Sequence, residues 1–517
     1  MAEQTNPPVW PLPRDKAVVV IGAGTMGSGI AEVAALAGHR VYLQDTNAAA
    51  LEKGLAQIRR SLDKRVERGR LDAGERDATL ERLTAATADT TLEGVGLAIE
   101  VIVENLDVKV AVLSRLEARL DADAIIATNT SSLSVTALAG RLARPERVVG
   151  MHFFNPATVL PLVEVVAGHA TAADVTQTIV DTAKAWGKVP VVCRSTPGFI
   201  VNRVARPYYG EALRLLLEQA ASPATLDAVL RECGGFRMGP CELMDLIGHD
   251  VNFAVTRSVC EGFFDDPRYK PSLIQKDLVD AGWLGRKSGR GFFDYRDGAV
   301  APKPEEALAE PSEAPARVRI EGDLGPAGAL VDLLRRQGEL VLETAPGFGV
   351  IRVDGFAVAL SDGRTATERS VDLGEAVVLF DLALDYATCP RIALAAPAQG
   401  SDVHLRKAIA LFATLGKRVS VLADAPGLAV NRTVAMLVNE AADAVYQGIA
   451  SADDVDAAMQ KGVNYPLGPV AWGRKIGLGH VVNVLGHLAS AYGEDRYRTS
   501  LWLRRAVQAA APLRSAA

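Results

Sequence analysis

The sequence is poor in the residues that mark several protein classes. Its five cysteines (Cys193, Cys233, Cys241, Cys260 and Cys389) are scattered through 517 residues without a CxxC pair. That usage excludes a disulfide framework and a zinc site, so no metal is expected, and reduced thiols fit a cytoplasmic protein. No apolar run approaches the roughly 18 residues of a membrane helix, so no span is expected. The opening Met1-Ala-Glu-Gln-Thr-Asn-Pro-Pro-Val-Trp10 has neither a basic n-region nor an apolar h-region, which argues against a signal peptide. A positive excess is also missing. The net charge of −6 gives no electrostatic case for nucleic acid or an anionic membrane. What remains is ordinary globular composition, 49% hydrophobic and 23% charged, in a chain long enough for about three or four domains.

One stretch combines strong apolar character with two ionisable groups: Gly150-Met-His-Phe-Phe-Asn-Pro-Ala-Thr-Val-Leu-Pro-Leu-Val-Glu164. Both flanks predict β-strands, and Asn155-Pro156 breaks the chain between them. A carboxylate in such a strand is costly to bury unpaired. His152 and Glu164 therefore read in two ways: a core histidine with an edge-strand acid, or a general base with the carboxylate that orients it.

Upstream, Lys16-Ala-Val-Val-Val-Ile21 predicts a strand, Gly22-Ala-Gly-Thr-Met-Gly27 follows at once, and Ser28–Ala37 predicts a helix. Arg40–Gln44 is the next strand and Asp45 stands at its end. In this context the glycines permit a tight turn and close approach of a pyrophosphate to a helix N-terminus. Asp45 suits ribose hydroxyls and repels a 2′-phosphate, which favours NAD over NADP. A Gly-rich turn with a strand-end Asp is the bland alternative.

Ala48 to about Leu83 predicts a helical hairpin inserted in this fold. Its first arm carries Arg59, Arg60, Lys64, Arg65, Arg68 and Arg70 around Ser61. Such an arm could hold a phosphorylated tail or be a solvated face. Leu97–Glu104 predicts a third strand, with Glu104-Asn105 at its end and Lys109 in the helix that follows. Ala124–Asn129 predicts a fourth strand, delivering Asn129-Thr-Ser-Ser132 to the same edge as cofactor ligands or as helix N-cap residues.

From Ser195 the texture turns to Ala/Leu-rich helices, then the Gly- and aromatic-rich loop Gly282–Tyr295. Residues 301–315, rich in Ala, Pro and Glu, predict an exposed linker. An internal repeat follows at a shift of 229: Gly187-Lys188 recurs as Gly416-Lys417, Pro197-Gly198 as Pro426-Gly427, Asn202-Arg203 as Asn431-Arg432, Glu211 as Glu440, Asp227 as Asp456, and Gly239-Pro240 as Gly468-Pro469. Between the copies, 316–415 reads as a degenerate α/β unit without cofactor. Its loop Gly322–Gly328 has an extra residue and a Pro that removes an amide, and nothing there matches His152 or Glu164. A second nucleotide site is the alternative.

Taken together, Val19–Gly27, Ile102-Val-Glu-Asn105, Thr128–Ser132, Gly150–Pro156, Leu162-Val-Glu164 and Thr196-Pro-Gly-Phe-Ile-Val-Asn-Arg203 resemble the L-3-hydroxyacyl-CoA dehydrogenases. The length and second helical domain look like the phenylacetate-degradation branch, whose substrate is 3-hydroxyadipyl-CoA. The resemblance implies an α/β plus all-α chain: N-terminal arm 1–15, Rossmann-type NAD domain with helical-hairpin insertion 16–195, helical domain like that of 6-phosphogluconate dehydrogenase 196–296, linker 297–315, degenerate Rossmann-like domain 316–415, and second helical domain 416–517. It implies NAD-dependent oxidation of an acyl-CoA, with His152 as general base, Glu164 orienting it, and Ser131 and Asn202 on the substrate oxygens. Gly22, Gly24, Met26, Gly27, Asp45, Glu104, Lys109 and Asn129 would hold the cofactor. Ser61 with Lys64 or Arg68 would touch CoA. Short family members dimerise through one helical domain. This chain is therefore expected to be either a homodimer or a monomer whose second copy packs on the first, leaving Asn431 a relic. Competing functions are a 3-hydroxybutyryl-CoA dehydrogenase, a free hydroxy-acid dehydrogenase, and a catalytically dead NAD-binding structural protein.

Overall fold

The computed structural model describes residues 11–337 and 341–510. The expected N-terminal arm lies outside the described residues up to Trp10, and the end of the second helical domain lies outside from residue 511. Of arm residues 11–15, Leu12 is anchored: it is buried and its amide donates to Thr182 Oγ1 at 2.9 Å. The described chain forms two compact units. The first runs to Asn202 and includes Gln447–Val463; the second comprises Arg203–Tyr446 and the chain from Asn464.

The first unit is built on β1 (Ala17–Ile21), β2 (Val41–Gln44), β3 (Leu83–Ala86), β4 (Val95–Glu100), β5 (Ile125–Thr128), β6 (Val148–Phe153), β7 (Leu162–Ala167) and β8 (Val189–Arg194). They form one sheet in the order β3-β2-β1-β4-β5-β6-β7-β8. Every pairing is parallel except β6 with β7. β1, β4, β5, β6 and most of β7 are buried along their length, the usual state of strands covered on both faces, which explains sequences that are apolar apart from Glu100, Thr128, His152 and Glu164. α1 (Thr25–Leu36) follows the glycine loop, and α2 (Ala48–Glu67) with α3 (Ala73–Glu81) forms the expected hairpin. β3 was not expected: it begins at Leu83, where the helical hairpin was expected to end, and pairs with β2 at the sheet edge. The third strand also stops earlier than its apolar run suggests, at Glu100, so that Val101–Asn105 is a loop before α4 (Leu106–Glu117).

The second unit contains a seven-stranded sheet in the order β10-β9-β11-β12-β13-β14-β15, from β9 (Arg317–Glu321), β10 (Val341–Ala345), β11 (Val350–Val353), β12 (Phe356–Leu360), β13 (Val377–Phe380), β14 (Arg391–Ala395) and β15 (Arg418–Val421). β12 to β15 repeat the order and directions of β5 to β8, including the single antiparallel pair, β13 with β14. The starts of β6, β7 and β8 precede those of β13, β14 and β15 by the same 229 residues. The repeat thus extends back into the α/β unit, further than the residue matches from 416 onward indicate. Where the first sheet has β4 and a crossover helix, the second has a hairpin. β11 and β12 are antiparallel and joined by Asp354-Gly355 at φ +44° and +89°, the backbone of a tight two-residue turn. The supposed linker is partly pinned: the Ala307 amide donates to the Val419 carbonyl at 2.8 Å, and the Glu305 amide to Thr225 Oγ1 at 2.9 Å.

The two helical copies meet inside the second unit, where helix Arg206–Leu217 packs on helix Val430–Tyr446. The contact is reciprocal. Arg203 Nε lies 2.6 Å from Glu440 Oε1, and Arg432 Nε lies 2.6 Å from Glu211 Oε2. Tyr269 donates to Glu440 at 2.6 Å and Tyr497 to Glu211 at 2.9 Å. Burial pushes both carboxyls up, but the guanidinium groups of Arg432 and Arg496 around Glu211, and of Arg203 and Arg268 around Glu440, outweigh it and hold them below the usual carboxylate range. A patch in which residue i meets j and j meets i is the signature of a two-fold interface, here within one chain. The swap reaches the sheets: helix Pro223–Glu232 of the first copy lies on β14, and helix Ala452–Gly462 of the second copy lies on β7 and β8.

Candidate active site

The C-terminal edge of the first sheet collects the residues singled out from the sequence. Gly22 has φ +108°, and a Cβ there would sit 2.5 Å from the Val101 carbonyl oxygen. A Cβ on Gly27 would run into the carbonyl of Gly22. Gly24 is different: it is exposed, nothing lies within 4 Å of its Cβ position, and it begins α1 without a side-chain cap. Two glycines thus close the turn and the middle one leaves open space at an uncapped helix N-terminus, which fits a pyrophosphate. Met26 is half-buried behind this loop. Asp45 Oδ2 accepts the Ala23 amide at 2.8 Å and Oδ1 the Asn47 amide at 2.9 Å. A carboxylate has about four lone-pair positions, so both oxygens can still accept ribose hydroxyls.

Across the hairpin of β6 and β7, His152 stands directly opposite Glu164. His152 Nδ1 and Glu164 Oε2 are 2.7 Å apart, with 5% and 0% of the two residues exposed. The second oxygen, Glu164 Oε1, accepts the amides of Ile200 and Val201 at 3.0 and 2.9 Å, where helix Val201–Val204 begins. Glu164 is therefore fixed at both ends, and a fixed carboxylate fixes the ring. Phe154 and Phe199 close on the imidazole, with centroids at 4.5 and 5.8 Å. Asn129 Oδ1 accepts the Phe153 amide at 2.8 Å, tying the end of β5 to that of β6, and Asn202 Nδ2 donates to the Ser131 carbonyl at 3.4 Å.

Glu104 organises the loop after β5. Its Oε1 accepts from Thr130 Oγ1 (2.5 Å), the amides of Ser131 and Ser132 (3.1 Å each) and Ser132 Oγ (2.9 Å). Burial raises its pKa, but the Thr130 hydroxyl and the Lys109 ammonium do more, so the carboxyl lies below its ordinary value. Lys109 is only 1% exposed. Its ammonium lies 2.7 Å from Glu100 Oε1 and 3.2 Å from Glu104 Oε2, so it stands beneath the edge and bears on it through Glu104. Glu100 was missed in the sequence. It is fully buried, and also accepts the Ile102 amide and Thr128 Oγ1, both at 2.7 Å.

On the helical hairpin, Lys64 and Arg68 are exposed, whereas Ser61 Oγ donates to the buried Glu32 at 3.0 Å, with Arg65 3.7 Å from the same oxygen. Burial raises the pKa of Glu32, more than Ser61 and Arg65 lower it. Among the described residues no three His, Cys, Asp or Glu side chains gather in a way that could hold a metal ion, and no helix is long and apolar enough to cross a membrane.

A dinucleotide cradle and a buried histidine–carboxylate pair on one sheet edge define the class of the NAD-dependent dehydrogenases. Comparison with known proteins narrows it. The family model "3-hydroxyacyl-CoA dehydrogenase, NAD binding domain" matches residues 17–196, the corresponding C-terminal domain matches 198–295 and again 427–516, and "3-hydroxybutyryl-CoA dehydrogenase reduced Rossmann-fold domain" matches 358–426. The chain belongs to the 3-hydroxyacyl-CoA dehydrogenase family, and its cofactor is NAD. It is 45% identical to the 3-hydroxyadipyl-CoA dehydrogenase of Escherichia coli K12 over 94% of this chain and 96% of that protein. It is 39% identical to human mitochondrial hydroxyacyl-coenzyme A dehydrogenase over 54% of this chain and 91% of that one. A crystal structure of 3-hydroxybutyryl-CoA dehydrogenase from Escherichia coli K12 superposes with a TM-score of 0.88 at 44% identity, covering 96% and 99% of the two chains.

Proposed function

We propose that this dehydrogenase oxidises 3-hydroxyadipyl-CoA and that His152 is its general base. The observation that carries the mechanism is the buried 2.7 Å contact of His152 Nδ1 with Glu164. With Nδ1 engaged, Nε2 is the nitrogen that takes the 3-hydroxyl proton, and the Glu164 carboxylate stabilises the resulting imidazolium. Such a base contributes about 10²–10⁴ in rate. Bound NAD supplies the hydride acceptor. Gly22, Gly24, Met26 and Gly27 shape its pyrophosphate cradle, Asp45 takes the adenosine ribose, and Glu104, Lys109 and Asn129 set the nicotinamide side. Ser131 and Asn202 orient the substrate oxygens, and the exposed Lys64 and Arg68 beside Ser61 attract the phosphates of CoA.

The acyl group rests on the relative that matches nearly the whole chain. A second reading, 3-hydroxybutyryl-CoA, is favoured by the superposition on a crystal structure of a 3-hydroxybutyryl-CoA dehydrogenase. NADH formation with 3-hydroxybutyryl-, longer 3-hydroxyacyl- and 3-hydroxyadipyl-CoA separates them. The highest kcat/KM is expected for the dicarboxylic substrate, and a higher value for 3-hydroxybutyryl-CoA would overturn the assignment. Free 3-hydroxy acids are expected to be poor substrates.

We further read the domains as a catalytic Rossmann domain to residue 195, helical domains at 196–296 and 416–517, and a degenerate α/β domain at 316–415. The reciprocal Arg203–Glu440 and Arg432–Glu211 pairs support a chain that supplies its own two-fold partner and works as a monomer. Five buried free cysteines suit the cytoplasm.

A further inference from the structure

The first sheet holds a charge cluster whose buried member, Glu100, has no part in the proposed function. Glu100, Lys109 and Glu104 form a chain of three: 2.7 Å from Glu100 Oε1 to Lys109 Nζ, and 3.2 Å from Lys109 Nζ to Glu104 Oε2. Glu100 and Lys109 are buried at the end of β4 and on the first turn of α4, and Glu104 is the member that reaches solvent. Two carboxylates and one ammonium carry a single net negative charge. Four donors from Thr130, Ser131 and Ser132 converge on Glu104, so the cluster is rigid on its open side as well.

Its place in the sheet decides what it faces. The pyrophosphate cradle lies at the end of β1, and Asp45 at the end of β2. The adenosine half of a dinucleotide therefore extends towards β2, and the nicotinamide half the other way, over β4, β5 and β6. Strands are about 4.8 Å apart, so β4 is the first strand the nicotinamide half crosses on its way to His152. The ring in question is cationic when oxidised and neutral when reduced.

We infer that the Glu100–Lys109–Glu104 cluster, through its net negative charge, biases the site towards the oxidised cofactor, with Glu100 as the buried positioning residue that sets this charge. The inference rests on the NAD reading above. Physically, a fixed charge favours the cation over the neutral ring by a Coulomb energy that survives because two of the three members are shielded from water. Evolution could have paired Lys109 with Glu104 alone; the extra buried carboxylate costs desolvation and leaves the cluster negative.

The test is equilibrium binding of NAD⁺ and NADH to the full-length protein, without turnover. Glu100→Gln removes one negative charge, and the ratio Kd(NAD⁺)/Kd(NADH) is expected to rise about three- to tenfold. Glu100→Gln with Lys109→Met restores the net charge of −1 while removing the same carboxylate, and the ratio is expected to return to within about twofold of the parent. Should Glu100→Gln fail to fold, Glu104→Gln makes the same charge change at a partly exposed position and is expected to shift the ratio in the same direction. A folded single variant with an unchanged ratio, or a double variant that stays with the single one, overturns the inference. Failure of the parent protein to bind either form would instead overturn the NAD reading, and this inference with it.

Discussion

The two halves of this chain keep the same scaffold and differ at the point where chemistry would occur. In the first half His152 faces Glu164 across a hairpin, and Glu164 receives the amides at the start of the next helix. In the second half Asp381 stands 229 residues after His152, and Ala393 stands 229 after Glu164. Asp381 has taken over the anchoring work by itself: its carboxylate accepts the amides of Ala429, Val430 and Asn431 at 2.7 to 2.9 Å. One acid does the structural half of the old pair's task, and its partners are backbone amides in place of an imidazole. The space beside it is filled as well. Asn431 donates to the Ser361 carbonyl at 2.6 Å and meets His480 Nε2 at 2.9 Å, and helix Leu478–Tyr492 lies so close that a Cβ on Gly363 would touch the Val484 carbonyl. Burial pushes the His480 pKa down to about 4, so it is neutral there. The comparison teaches that the repeat preserves what joins helix to sheet and copy to copy, while the histidine–glutamate pair occurs in the first half and has no counterpart at the equivalent positions of the second.

The sharpest way to break this contrast is at the two equivalent positions. His152→Gln is expected to lower kcat by about 10²–10⁴ with NAD⁺ affinity unchanged within about twofold, whereas Asp381→Asn should leave kcat within the same twofold. Equal losses would mean that the second half takes part in catalysis. Next in size is the internal two-fold. Arg432→Met takes the nearest cation from buried Glu211, leaving Arg496 at 3.7 Å, and Arg203→Met does the same to Glu440, leaving Arg268 at 3.2 Å, so each is expected to cost up to about 3 kcal/mol in denaturant unfolding. A large loss on one side only would deny the symmetry of the interface.

A third test concerns Asp381 alone. Burial raises its pKa to about 6, with the surrounding amides opposing. A carboxyl whose folded pKa is raised binds its proton more tightly in the native state. Its contribution to stability therefore falls as pH rises from about 4 to about 6. Asp381→Asn should remove that part of the slope, on the order of 3 kcal/mol; an unchanged slope would place the titration elsewhere. Smallest of all, Asn202→Ala is expected to reduce kcat/KM at least tenfold, about 1.4 kcal/mol, while Asn431→Ala affects only stability.

Much of the site was legible because it is local or set by strict periodicity. Gly22 to Asp45 is one strand–loop–helix–strand unit, and the His152–Glu164 pairing follows from a hairpin register with few alternatives. What stayed hidden is long-range or disguised. Glu100 sits in an apolar run and read as one more strand residue, because its partner Lys109 is on the following helix. Ser61 looked free for a ligand until Glu32, on another helix, took its hydroxyl. The Asp354-Gly355 turn between apolar runs carried a hairpin signal that the general α/β reading of 316–415 passed over. Asp381 was within reach too: the shift of 229, carried upstream of residue 416, lands on it. The docking of helix Ala452–Gly462 on β7 and β8 depends on tertiary packing that no local pattern encodes.

The contrast between the two halves predicts one working site per chain, in the first half. Its most direct test is the stoichiometry of NAD⁺ binding to the full-length protein by titration calorimetry, repeated with Asp45→Ala. A single site per chain, weakened about tenfold or more by Asp45→Ala through the lost ribose hydrogen bonds, is the expected result. Two sites per chain, or one that Asp45→Ala leaves untouched, would contradict it.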